Sequence, residues 1–94
     1  SIMILDILTP EALVFHGAVD AVKMPGIEGE FQVLNGHAAI ISALKAGTVI
    51  VDVSQATPEI TEKLTKTTEP NKFSFEIKGG VAEMLGDKIV LLAD

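Results

Sequence analysis

Lys72-Phe73-Ser74-Phe75-Glu76-Ile77-Lys78 puts Phe73, Phe75 and Ile77 on one side of an extended chain and its polar residues on the other. A period of two belongs to a strand, because a helix would scatter these three apolar groups around its axis. Downstream, Gly79-Gly80 reads as a turn or bulge. The run Val81 to Leu85, the turn candidate Gly86-Asp87 and the run Lys88 to Ala93 then form a closing hairpin.

Upstream the same grammar repeats. Thr48 to Val53 is β-branched, and Glu30 to Leu34 alternates until Asn35-Gly36. Met24-Pro25-Gly26-Ile27-Glu28-Gly29 carries proline and two glycines within six residues, which marks a hairpin or corner. Leu13 to Met24 alternates loosely around Gly17, as one bent strand or two short ones. Ile2 to Leu8 is a strand that stops at Thr9-Pro10, where proline has no N–H for a ladder. Many short strands with regular punctuation predict an all-β sandwich or barrel.

Two stretches resist. From Asn35 to Gly47, alanine, isoleucine and leucine are good helix material, with Asn35 as a cap and Gly47 as a stop, so propensity alone predicts a helix. From Ala56 to Asn71, Thr57 can cap and Pro58 can open a helix with Ile60 and Leu64, and Glu62 and Lys66, at i,i+4 spacing. A short helix and an extended loop both stay open for that stretch, in a chain that reads as a single domain covering residues 1–94.

Composition narrows the chemistry. The 94 residues are 48% apolar with mean hydropathy +0.44, too apolar for a disordered chain and long enough for one core. The absence of cysteine removes disulfides, thiolate zinc sites and a cysteine nucleophile. A net charge of −6 with no arginine argues against nucleic acid and against bidentate phosphate clamps. No apolar run approaches the ~20 residues that span a bilayer, and no targeting signal is visible.

No candidate residue forms a catalytic set. Glu28 and Glu30 flank Gly29, but nothing near them supplies further oxygen ligands, so a solvated or contact turn is the better reading. His16 and His37, 21 residues apart in a chain without cysteine, have no zinc spacing. The serines at 1, 42, 54 and 74 form no nucleophile elbow, and the glycines form no phosphate loop. No cofactor is expected. A small binding module for a peptide or sugar is the alternative from another class, weakened by the lack of Trp and Tyr. A hydrolase or metalloenzyme would need a triad or ligand set that the chain does not show.

Five motifs in order carry a family resemblance: Met24 to Phe31, Asn35-Gly36-His37-Ala38, Leu44-Lys45-Ala46-Gly47, Lys78-Gly79-Gly80-Val81-Ala82-Glu83 and Val90-Leu91-Leu92-Ala93-Asp94. Together they resemble the epsilon subunit of F-type ATP synthase, over about residues 1–55 and 72–94. The resemblance implies a flattened ten-stranded β-sandwich; residues from about Ala56 to Asn71 exceed what the family places between these strands and are an insertion about which it says nothing, a short helix or hairpin being expected near 57–70. It also implies a turn and strand, not a helix, over Asn35 to Gly47. The implied function is a non-catalytic rotor subunit linking the gamma subunit to the c-ring, peripheral on the cytoplasmic side of a bacterial inner membrane. By the same resemblance Glu28, Gly29 and Glu30 face the ring loops, and Thr9, His37 and Ser42 face gamma; Gly26, Gly36, Gly47, Gly79 and Gly80 are read as structural turns. Family members often continue into two C-terminal helices that inhibit hydrolysis or bind ATP, so neither property is expected of residues ending at Asp94.

Overall fold

Strands form where apolar and polar residues alternate. The computed structural model describes residues 3–36 and 38–94. The order is β1 (Met3–Leu8), β2 (Leu13–Val19), β3 (Ala21–Gly26), β4 (Gly29–Leu34), β5 (Ile40–Asp52), α1 (Pro58–Lys63), β6 (Thr65–Lys66), β7 (Lys72–Leu85) and β8 (Lys88–Ala93). Ile2, read as the start of the first strand, lies outside the described residues. Leu13 to Met24 resolves into two strands with only Asp20 between them.

The strands share one hydrogen-bonded path, β2-β1-β8-β7-β5-β3-β4, with β6 added to β7. β1 runs parallel to β8 and the other pairs are antiparallel. Because one residue joins β2 at one end of this path to β3 near the other, the sheet must fold back into two layers. The fold line crosses β5 and β7, which are 13 and 14 residues long. Residues 40–45 pair with 79–84 in the layer of β1, β2 and β8, and residues 47–52 pair with 72–77 in the layer of β3, β4 and β6. The ten strands expected are therefore eight continuous ones among the described residues, with β5 and β7 serving both layers.

The corner explains why Gly47, Gly79 and Gly80, expected at turns, lie inside strands. A Cβ on Gly47 would sit 2.9 Å from Pro25 Cβ, and one on Gly80 would sit 2.1 Å from the Leu92 carbonyl oxygen. Gly80 also has φ +152, a conformation that side chains disfavour. Opposite Gly47, the β3 register slips between Lys23 and Gly26, at the proline that cannot donate to the ladder.

The helix that propensity predicts over Asn35 to Gly47 does not form. Asn35-Gly36 is a turn, and from Ile40 to Lys45 each residue pairs with β7. Helix preferences of a few tenths of a kcal/mol per residue lose to a continuous ladder and the burial of Leu44.

The core lies between the layers. Met3, Leu5 and Ile7 of β1, Ile89 and Leu91 of β8, and Ala82 and Met84 of β7 meet Val22, Met24, Val33, Val49, Val51 and Phe73 from the other layer. The stretch left open between helix and loop forms the capped helix α1 and then β6. Thr57 Oγ1 accepts from the Ile60 N–H at 3.3 Å, Pro58 fills the first turn, and Ile60 and Leu64 are buried. Glu62 and Lys66 do not form the helical pair that their spacing suggested, because α1 ends at Lys63 and Lys66 belongs to β6.

Candidate functional site

Alternation that buries one side of each strand necessarily presents the other. On the outer face of the β1–β2–β8 layer the paired positions fall into rows. One row is Ala43, Val81, Leu92, Leu8 and Leu13, and the next is Ile41, Glu83, Val90, Asp6 and His16. Five of the exposed large apolar side chains stand here: Leu13, Ile41, Val81, Leu85 and Leu92, with Ile41 74% and Leu85 71% exposed. An apolar concentration of this kind on a sheet face is the mark of a docking surface.

Charges punctuate that face. His16 Nδ1 donates to Asp6 Oδ1 at 2.5 Å, and Lys88 Nζ meets Asp6 Oδ2 at 3.2 Å. Burial by itself would raise the Asp6 pKa, but the hydrogen bonds and charges of His16 and Lys88 outweigh it and hold the carboxyl below its ordinary value. A carboxyl lowered in the folded state stabilises the fold above its unfolded value of 3.8, and that stabilisation is lost as pH falls through the lower folded value. His16 and Lys88 are half exposed, so the contribution is roughly 0.5–1 kcal/mol. Asp6→Asn should accordingly lower the urea midpoint at pH 7 and converge with wild type in strong acid. Parallel midpoint curves from pH 7 to pH 2.5 would refute this.

The β3–β4 hairpin borders the same face. Its two-residue turn, Ile27-Glu28, is tied to β5 by the Ile27 N–H donating to the Ala43 carbonyl at 3.0 Å. Glu28, Gly29 and Glu30 are all exposed, and Lys23 Nζ stands 4.0 Å from Glu30. Between this tip and Ile41, Ser42 and Ala43 runs an open groove of about 670 Å³.

The other sequence-derived positions divide around these features. Thr9 follows β1 in a tight turn, its N–H donating to the Ala12 carbonyl at 2.9 Å, and borders Leu8, Val81 and Leu92 of the apolar face. Ser42 lines the groove beside the acidic turn. Residues grouped as facing one partner thus lie on two adjoining surfaces. Gly26 ends β3 against Gly29, and Gly36 turns the chain after β4. His37 lies outside the described residues.

Sequence reasoning passed over Ile41, Leu85 and Glu83 as site residues. For Glu83 and Leu85 the signal was present in Val81-Ala82-Glu83-Met84-Leu85, whose outward positions, like its inward ones, are mostly apolar. Among the described residues no group of His, Cys, Asp and Glu is arranged to hold a metal ion.

Comparison with known proteins agrees with this architecture. The family model described as ATP synthase, Delta/Epsilon chain, beta-sandwich domain matches residues 2–94. An ATP synthase epsilon chain of Chlorobium limicola is 38% identical over 90 residues, covering 96% of this chain and 86% of the relative. One from Campylobacter jejuni is 38% identical over 88 residues, but this chain spans only 57% of its length. A chain in the cryo-EM structure of Euglena gracilis mitochondrial ATP synthase superposes with TM-score 0.77 at 20% identity, covering 98% of this chain and 50% of that one. A chain in the central stalk/c-ring structure of the Tetrahymena thermophila enzyme gives TM-score 0.72 at 12% identity, covering 97% and 62%.

Proposed function

This chain belongs to the ATP synthase epsilon-chain family, whose members are not catalytic by themselves, and from that premise we propose that it works as a rotor subunit joining the gamma subunit to the c-ring. The observation that carries this reading is the apolar outer face built from Leu13, Ile41, Val81, Leu85 and Leu92, bordered by an acidic hairpin tip. Two different surfaces meeting along one edge suit a component held between two partners. The apolar face provides the buried contact with gamma, where affinity concentrates in a few desolvated side chains. Glu28 and Glu30 face polar or basic loops of the ring, where charge favours orientation and partner choice over raw affinity.

On this reading the chain couples proton flow to ATP synthesis without making or breaking a bond. It is held to the cytoplasmic side of a bacterial inner membrane by the complex. No helix among the described residues is long and apolar enough to cross a membrane.

Titration calorimetry with the gamma subunit of the same organism tests the first contact, and a tight 1:1 complex is the expected result. Absence of binding by protein that circular dichroism shows to be folded would overturn it. Replacing Glu28 and Glu30 together by lysine should leave gamma binding intact and weaken co-purification of the c-ring. An unchanged ring yield and unchanged coupling would remove the hairpin from that contact.

A further inference from the structure

Glu83 is exposed, yet apolar side chains surround it on its own face. Val81 and Leu85 flank it along β7, Ile41 stands across on β5 and Val90 across on β8. Cross-strand neighbours on one face have Cβ atoms about 4.5–5.5 Å apart, which sets Ile41 and Val90 beside Glu83, while Val81 and Leu85 share its face two residues away along β7. Among the described residues no hydrogen bond or ion pair engages the Glu83 carboxylate, whereas that of Asp6 on the same row is satisfied by His16 and Lys88.

Resting on the reading above, we propose that the partner surface covering this face is apolar around one basic side chain, which pairs with Glu83 at the centre of the contact. The physical argument is desolvation. Any apolar surface that covers Ile41, Val81, Leu85 and Val90 also strips water from Glu83, and an unpaired carboxylate so placed opposes binding strongly. A partner that brings a cation recovers the loss, while an apolar surface without one is rejected. Glu83 is then the group that sets partner specificity, and it also disfavours stacking of one apolar face on another. Arginine fits best, because its planar fork tolerates an apolar rim and gives two parallel bonds to a carboxylate.

The test measures association and dissociation rates of this chain with the gamma subunit of its own organism, for wild type, Glu83→Gln and Glu83→Lys. A desolvated central pair acts chiefly on dissociation. Glu83→Gln should raise the dissociation rate about 10- to 30-fold with little change in association, and Glu83→Lys should weaken affinity roughly 100-fold or more. Both variants are expected to keep the wild-type melting profile, since the side chain is solvent-exposed in the free protein. Unchanged dissociation for Glu83→Gln would overturn this pairing while leaving the gamma contact standing. Failure of wild type to bind gamma would overturn both. Dimerisation of wild type through this face, seen by sedimentation, would overturn the choice of partner.

Discussion

Gly80→Ala is expected to remove about 4 kcal/mol of stability, from strain of about 1–3 kcal/mol at a disfavoured backbone conformation and about 1–3 kcal/mol from overpacking. The added methyl would have to occupy a point 2.1 Å from the Leu92 carbonyl oxygen while the backbone holds φ +152. A flexible side chain could swing away, but a carbonyl inside the β7–β8 ladder cannot, because Gly80 pairs with Ala93 and Val81 with Leu92. Domains of this size have roughly 5–15 kcal/mol in total, so the loss takes a large share of it. The thermal midpoint should fall by about 20 °C, and expression should suffer accordingly. A midpoint within about 5 °C of wild type would mean that the corner relaxes around the new group and that the close approach is not what demands glycine.

Ile41→Glu combined with Leu85→Glu is expected to weaken gamma binding about 100-fold or more while the fold is kept, the new carboxylate opposite Glu83 lowering the melting temperature by only about a few degrees. Both side chains are more than two-thirds exposed in the free protein, so folding gains little from them. In the proposed complex they are buried, and two carboxylates beside Glu83 would be desolvated with at most one basic group to receive them. Calorimetric titration reads the binding loss and a thermal melt verifies the fold. Leu34→Glu, on β4 in the other layer, serves as the control and should bind as wild type does. Equal weakening by Leu34→Glu, or wild-type affinity for the double variant, would move the interface elsewhere.

Much of the fold was legible because period-two patterning and turn residues agree with each other. Phe73, Phe75 and Ile77 lie in one strand, and Gly86-Asp87 turns between β7 and β8. Thr57 and Pro58 sit at the start of α1, the one of the two open readings that formed, since capping is a local interaction that sequence records directly. Asn35 to Gly47 misled, because its residues prefer a helix when considered alone and become strand only when β7 offers a partner. Gly79-Gly80 misled differently. Two glycines look like a turn, but here they let a single strand change layers.

The candidate surface was harder to read for a related reason. Val81 to Leu85 and Lys88 to Ala93 are nearly continuous apolar runs, a pattern of strands covered on both sides. Only one cover, the opposite layer, belongs to this chain. The outward half of the pattern, Val81, Leu85 and Leu92, makes physical sense only in terms of something that packs on from outside.

β5 and β7 also bear on how the molecule responds to force. Their antiparallel register keeps one offset from Ile40 opposite Met84 to Asp52 opposite Lys72, missing only the Ala46–Lys78 pair at the bend that separates the layers. A load entering at the apolar face therefore reaches the other layer along two covalent chains clamped side by side, without relying on slip across the greasy interior. Pulled lengthwise in opposite directions, that long ladder shares the strain among its bonds at once, where a short hairpin pulled open from its end would lose them one at a time. The sandwich is thereby built to be stiff along one axis, the axis of its two longest strands.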